Sequence, residues 1–281
     1  MAPNLEEIRS ASEDKLRRMK THLGALDSAL VAFSAGVDSS FVLAVAREVL
    51  GDKVIALTAH SPSVPQAERV EARDLARRLG VRHVEVESRE MDDPRYVANA
   101  VDRCFHCKSE LYRLCVEVAQ RERVVAVVDG FNADDRRDYR PGQRAAEERA
   151  VRSPLAEAGL TKAEVRAWSE AYALPTWNKP QMACLASRLP FGTAVTSERL
   201  AQVERAEAAV RALGLRAFRV RYHGDIGRIE VAEDEMDGAY ARRSDLVAAV
   251  RTAGFKMVAL DLEPFRSGRM TEGAGLSLPV V

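Results

Sequence analysis

The chain has 281 residues, 47% hydrophobic and 30% charged, a balance that suits a folded protein with a real core and excludes a largely disordered one. Its 42 basic residues offset 42 acidic ones, so no net field draws the whole molecule to nucleic acid or to an anionic membrane. No apolar run approaches the roughly 18–20 residues of a membrane span, and the opening MAPNLEEIRSASEDKLRRMK reads as a charged amphipathic helix, not a secretory leader, so the expected location is the cytoplasm.

From an opening helix over about residues 4–22, strand and helix patterns alternate. SALVAFS (28–34) leads into a helix from Ser39 to Leu50, KVIALTA (53–59) into a helix from Pro65 to Leu79, and VRHVEVE (81–87) into helical stretches from Pro94 to Ala119; VVAVVDG (124–130) follows. Short apolar strands separated by helices predict an α/β fold with a parallel sheet covered on both faces, which binds ligands at the carboxyl ends of its strands. Residues 34–39, 58–61 and 129–132 occupy three such ends. The polar stretch from Asp134 to about Arg152, with Asp138-Tyr139-Arg140-Pro141-Gly142, reads as a mobile substrate loop. A junction rich in proline and small residues, Leu174 to Gly192, divides a larger domain (1–180) from a smaller α+β domain (181–281). The smaller domain is expected to hold a helix over 197–213, paired strands FRVRY and RIEVA, a helix near 243–253 and the strand KMVALDL, with the last dozen residues loose.

The most informative stretch is Ser34-Ala35-Gly36-Val37-Asp38-Ser39, between the first strand and its helix. Small residues there aim free backbone N–H groups and the positive helix end at one point, which is an anion site. Gly36 permits close approach, Ser34 and Ser39 add hydroxyls, and Asp38 suits a Mg²⁺ ion that shields phosphate. Neither the Gly-Lys-Ser/Thr ending of a Walker A loop nor G-x-G-x-x-G is present. The stretch resembles the SGGxDS loop of the PP-loop ATP pyrophosphatases, which split ATP into AMP and pyrophosphate. Ser34, Gly36, Val37, Asp38 and Ser39, with Thr58 and Gly130 at neighbouring strand ends, are the candidate ATP contacts. Ala35 replaces a family glycine; if that position needs positive φ, its methyl strains the loop.

Cys104-Phe105-His106-Cys107 is a C-x-x-C that serves equally as half a zinc or iron–sulfur site, a redox pair or two packed thiols. Cys184 adds a third, distant sulfur in a reachable loop beside Arg188, and three thiolates suit a [4Fe–4S] cluster with one open iron better than a closed zinc site. A fourth ligand from His106 or Cys115 would restore zinc, although Cys115 lies on an apolar helix face and reads as packing. Arg219 and Arg221 share one face of a strand, which on spacing alone reads as solvated, and Glu207 and Glu230 likewise read as solvated more readily than as metal ligands.

RCFHCK, DGFNADDRRDYRPG, ACLASRLPFGTAVT, FRVRYHGDIGRIEV and DLEPFRSG, in that order from about residue 30 to 268 together with the loop, resemble the LarE family of ATP-dependent sulfur transferases of nickel-pincer nucleotide cofactor synthesis. The resemblance implies a PP-loop domain followed by a smaller α+β domain, and a pyridinium dicarboxylate mononucleotide as substrate. One carboxylate is adenylated by ATP and then converted to a thiocarboxylate. It implies Cys184 as the sulfur-bearing cysteine, Arg188 near the transferring phosphate, and Arg219 and Arg221 on the substrate phosphate. It implies that Cys104, Cys107 and Cys184 hold a [4Fe–4S] cluster that delivers sulfur, with Cys184 as direct, sacrificial donor otherwise. A homo-hexamer is implied, with neither nucleic acid nor membrane as partner. Two rivals use the same loop: a tRNA-thiolating enzyme, which the balanced charge disfavours, and an adenine-nucleotide sensor without chemistry, which leaves the cysteines unexplained.

Overall fold

A computed structural model of the chain describes residues 4–137, 141–180 and 183–266. Asp138, Tyr139, Arg140, Gln181, Met182 and the last dozen residues lie outside the described residues. In chain order the elements are α1 (Leu5–Gly24), β1 (Ala29–Ala32), α2 (Val37–Leu50), β2 (Val54–His60), α3 (Gln66–Arg78), β3 (Arg82–Glu87), α4 (Pro94–Val97) and α5 (Arg103–Glu122). There follow β4 (Ala126–Val128), α6 (Pro141–Glu147), α7 (Pro154–Ala158), α8 (Lys162–Ala171), α9 (Ser197–Ala212), β5 (Phe218–His223), β6 (Ile226–Val231), α10 (Met236–Ala241), α11 (Arg243–Thr252) and β7 (Met257–Leu260).

These elements form two compact units. The first comprises Met1–Ser61, Gln66–Glu90 and Cys104–Met182; the second takes Pro62–Pro65 and Met91–Arg103 as well as Ala183–Val281. No shift in composition announces the two short segments.

In the first unit the sheet is wholly parallel, in the order β3-β2-β1-β4. Successive β1 residues point to opposite faces, so Ala29 and Val31 join α1, α2 and α3 in one core while Leu30 meets Leu57, Val127 and the α5 residues Cys115, Val118 and Ala119 in the other. Burial on both sides explains why β1 and β2 read as apolar runs, whereas the edge strand β3 is more exposed and alternates. Because β1 lies between β2 and β4, strand order reverses beside it, and the loops leaving β1 and β4 flank a topological switch point.

Two sequence readings change here. The stretch read as a mobile loop over 134–152 holds α6, whose Ala145 and Ala146 are buried against Tyr112, and a bridge from Arg152 to Val128 of the sheet. Its dense charge masks the two alanines. Helices α7 and α8 had no counterpart in the sequence reading, although Thr161 and Glu164 form the capping box that opens α8.

The second unit has a three-stranded sheet, β5-β6-β7, with β5 and β6 antiparallel and β6 and β7 parallel. Helix α9 buries Leu200, Val203 and Val210 at the spacing the sequence shows. Among the described residues, no helix is long and apolar enough to cross a membrane.

Candidate active site

The loop after β1 is held from below. Phe33 donates its backbone N–H to Leu57 O at 2.8 Å, and the buried Thr58 hydroxyl donates to Phe33 O at 2.8 Å. Since Thr58 Oγ1 already donates, it accepts from the His83 Nε2–H at 2.8 Å; burial pushes the His83 imidazole down, favouring the neutral ring. Thr58 thus supports the loop through its side chain.

Ala35 then turns through φ 53°, fully buried, so the position is one that favours glycine. Gly36 caps α2 in an extended conformation without a side-chain bond, which leaves the first-turn N–H groups of Val37, Asp38 and Ser39 without intrahelical acceptors. Val37 buries its side chain and offers only backbone. The Ser34 and Ser39 hydroxyls lie 3.1 Å apart at the mouth of the turn. Gly130, after β4, lies against the same turn: a Cβ there would come within 2.9 Å of Ser39 N and 3.2 Å of the Asp38 carbonyl carbon. The switch-point crevice therefore brings Ser34, Gly36, Val37, Asp38, Ser39, Thr58 and Gly130 together.

Gly130 is placed by a buried carboxylate. Asp129 accepts from Tyr112 Oη at 2.7 Å, Ser153 Oγ at 2.7 Å and Phe131 N at 3.1 Å. Burial pushes the Asp129 carboxyl up and holds the Tyr112 phenol well above its usual range, so this bonded arrangement is what keeps a polar group in the core.

Two lysines that the sequence reading missed flank the loop. Lys162, the first residue of α8, places Nζ on Asp38 Oδ2, and Asn132 Nδ2 donates to Asp38 Oδ1 at 3.4 Å. Lys179 Nζ donates to the Ala35 carbonyl at 3.2 Å and to Glu68 and Glu71 of α3 at 2.5 and 2.6 Å. Lysine is so common on surfaces that neither spacing nor context marks these two.

On α5, also in the first unit, Cys104 is exposed and Cys107 half-buried; three residues apart, they share a helix face. Cys115 is buried, its thiol pushed up to about 12 by that burial, as its apolar spacing implied. No disulfide joins the four cysteines, and among the described residues no group of three His, Cys, Asp or Glu side chains is arranged to hold a metal ion.

In the second unit, half-buried Cys184 caps the short turn Leu185–Arg188. Buried guanidiniums fix that turn. Arg188, with no exposed surface, forks onto Glu207 at 2.9 and 3.0 Å and donates to the carbonyls of Ala183 and Cys184. Arg221 donates to Ser187 O at 2.9 Å, and Arg103 to Ala186 O at 2.8 Å, with Arg103 Nη2 4.0 Å from Cys184 Sγ.

Arg219 and Arg221 do share a face, but the expected solvated face is buried, with each residue 5% exposed. Glu207 and Glu230 are buried as well, at 4% and 0%, and pair with Arg188 and with Arg221 and Arg228, which corrects their reading as solvated. The turn at Leu185–Arg188 covers the polar face of β5, a contact between distant segments that alternation along one strand does not encode. Burial, and then the nearby charges of Arg188 and Arg221, push the Arg219 guanidinium down to about 10.

A family model described as asparagine synthase matches residues 16–135, which include the loop and all four strands of the parallel sheet. The chain is 37% identical over 248 residues to pyridinium-3,5-bisthiocarboxylic acid mononucleotide synthase of Lactiplantibacillus plantarum, covering 88% of this chain and 90% of that relative. It is 43% identical over 260 residues to an uncharacterized protein of Synechocystis sp., covering 92% and 97% respectively.

Proposed function

Because the chain belongs to the LarE family of PP-loop proteins, we propose that it converts a carboxylate of a pyridinium dicarboxylate mononucleotide into a thiocarboxylate, splitting ATP into AMP and pyrophosphate. The observation that carries this reading is a half-buried thiol, Cys184, on a turn fixed by the buried guanidiniums of Arg188, Arg221 and Arg103. A reachable sulfur held among guanidiniums is what sulfur transfer to a phosphorylated acid requires.

A carboxylate is a poor electrophile because oxide would have to leave. Attack of its oxygen on the α-phosphorus of ATP breaks the bond to pyrophosphate and makes AMP the leaving group. The N–H groups of Val37, Asp38 and Ser39 hold the departing pyrophosphate, with Gly36 and Gly130 leaving room for its oxygens. Mg²⁺ fits at Asp38, whose carboxylate already holds a cation, the Lys162 ammonium. Arg219 and Arg221 bind the substrate phosphate. Arg188, expected near the transferring phosphate, has its fork on Glu207, and its part in this reading is to hold the Cys184 turn.

The finer part of the proposal is that Cys104, Cys107 and Cys184 hold a [4Fe–4S] cluster. Its support is chemical: Cys104 and Cys107, one helical turn apart, and Cys184 are exposed or half-buried thiols, the ligand type such a cluster takes, whereas Cys115 is buried. When bound, the cluster supplies the sulfur, so Cys184 survives turnover. Without it, the Cys184 thiolate attacks the acyl carbon and expels AMP; loss of the Cα proton with cleavage of the Cβ–S bond then leaves dehydroalanine and the thiocarboxylate. Anaerobic reconstitution with iron and sulfide quantitation separates the two. About four irons per chain, lost in Cys104→Ala, is the expected result; iron in neither protein overturns the cluster. A homo-hexamer belongs to the same proposal, and light scattering reads it.

Pyrophosphate release from ATP tests the function. Release that depends on the pyridinium mononucleotide supports it. Release that depends on tRNA would establish the thiolation of RNA instead, and ATP binding without release would establish a sensor.

A further inference from the structure

We infer that Lys162 is a phosphate-binding residue parked on Asp38, and that Mg²⁺ and the pyrophosphate moiety of the nucleotide together exchange it from carboxylate to phosphate. The inference rests on the reading of the loop as an ATP site and adds a residue and an order of events to it.

Asp38 stands on the first turn of α2, beside the N–H groups that lack intrahelical acceptors, and its carboxylate carries the Lys162 ammonium. One carboxylate oxygen is thus occupied by a cation where a phosphate-bound Mg²⁺ needs a ligand. Lys162 is the first residue of α8, a position where the helix dipole disfavours positive charge. The helix start is fixed regardless, by the Thr161–Glu164 capping box and by the Lys162 backbone N–H on Asp134 Oδ2 at 2.8 Å. A lysine set against the dipole and aimed at the phosphate loop is a local conflict of the kind functional sites retain.

The two lysines at the loop differ in how firmly they are held. Lys179 is 13% exposed and bridges Glu68, Glu71 and the Ala35 carbonyl, so it is a fixture of the loop. Among the described residues, the Lys162 ammonium pairs with one carboxylate, and the partners are 32% and 21% exposed. A pair this open is worth little by itself, so a divalent ion at the same carboxylate displaces it readily. Once displaced, the ammonium lies within a side chain's swing of the phosphate oxygens on α2. Metal and phosphate then bind cooperatively, because each relieves what the other needs: Mg²⁺ frees the lysine, and the freed lysine holds the phosphate.

The test is calorimetric titration of the full chain with inorganic pyrophosphate, with and without Mg²⁺. Wild type is expected to bind more tightly with Mg²⁺. Lys162→Gln is expected to lose roughly 10- to 100-fold in affinity at saturating Mg²⁺, the range of one charge-assisted hydrogen bond, and Lys162→Arg to keep most of it. Asp38→Asn releases the ammonium without metal, so its Mg²⁺-free affinity for pyrophosphate should rise while the gain from Mg²⁺ disappears. Wild-type affinity in Lys162→Gln, or no Mg²⁺-free gain in Asp38→Asn, would show a fixed structural ion pair and overturn the exchange. If wild type binds neither pyrophosphate nor ATP, the ATP reading itself fails and the exchange with it.

Discussion

Ala35 carries a methyl at φ 53° in a fully buried turn, and its energetics can be separated. The left-handed conformation costs an alanine about 1–2 kcal/mol. Glycine would relieve that but lose about 0.5–1 kcal/mol in chain entropy and about 0.8 kcal/mol from the missing buried methyl. Ala35→Gly should therefore change stability by less than about 1 kcal/mol. Ala46→Gly, equally buried but inside α2, should cost about 2 kcal/mol through lost helix propensity and the same methyl. Urea unfolding of both variants checks this; an equal cost at both positions would mean that residue 35 bears no strain. At this scale the loop was legible, because Ser34, Gly36, Asp38 and Ser39 carry their chemistry in their identity. The partners of Asp38 and of the arginines were not. Lys162 lies 124 positions from Asp38, and Ser187 lies 34 from Arg221, separations that no local pattern spans.

At the scale of elements, the alternation of strands with periodic helices gave β1 to β4 and the helices between them: β1, β2 and β4 as apolar runs because they are largely buried, and the more exposed edge strand β3 by its alternation. Helix α6 was hidden by its charges, and α7 by its five-residue length. How these elements are tied is more specific than hydrophobic pattern. Glu85 on β3 accepts from Arg73 of α3 at 2.8 and 2.9 Å and meets His60 at the end of β2. The Arg73 hydrogen bonds, and then that of His60, hold its carboxyl down to about 2 from an ordinary 4.5. A folded-state pKa below the unfolded one means stability that is fully present above about 4.5 and is lost as pH falls toward about 2. Thermal melts should show wild type above Glu85→Gln near neutral pH, with the gap closing across that acid window. A gap independent of pH would mean that the carboxylate charge does not join these elements.

At the scale of the molecule, the proposed reaction draws on both units. The first presents the proposed phosphate loop at the switch point of a parallel sheet, and the second presents Cys184 on a turn held by buried arginines. The order of motifs along the sequence reads as a single boundary at 180/181. It did not indicate that the second unit takes in Pro62–Pro65 and Met91–Arg103, because inclusion of short segments depends on packing rather than on composition. Those segments matter locally: Ser63 O accepts from Leu185 N at 2.8 Å, 122 positions away, and Arg103 approaches the Cys184 sulfur from 81 positions away, so the turn bearing the thiol is built partly from distant earlier chain. On the proposed function, this molecule uses ATP to replace a carboxylate oxygen by sulfur. The most direct measurement is the mass spectrum of the pyridinium mononucleotide after incubation with the anaerobically reconstituted protein, ATP and Mg²⁺, with AMP counted in the same reaction. The expected result is one oxygen replaced by sulfur for each AMP formed, and none of this product with Cys184→Ala. AMP and pyrophosphate with a mononucleotide of unchanged mass, or sulfur gained without Cys184, would contradict it.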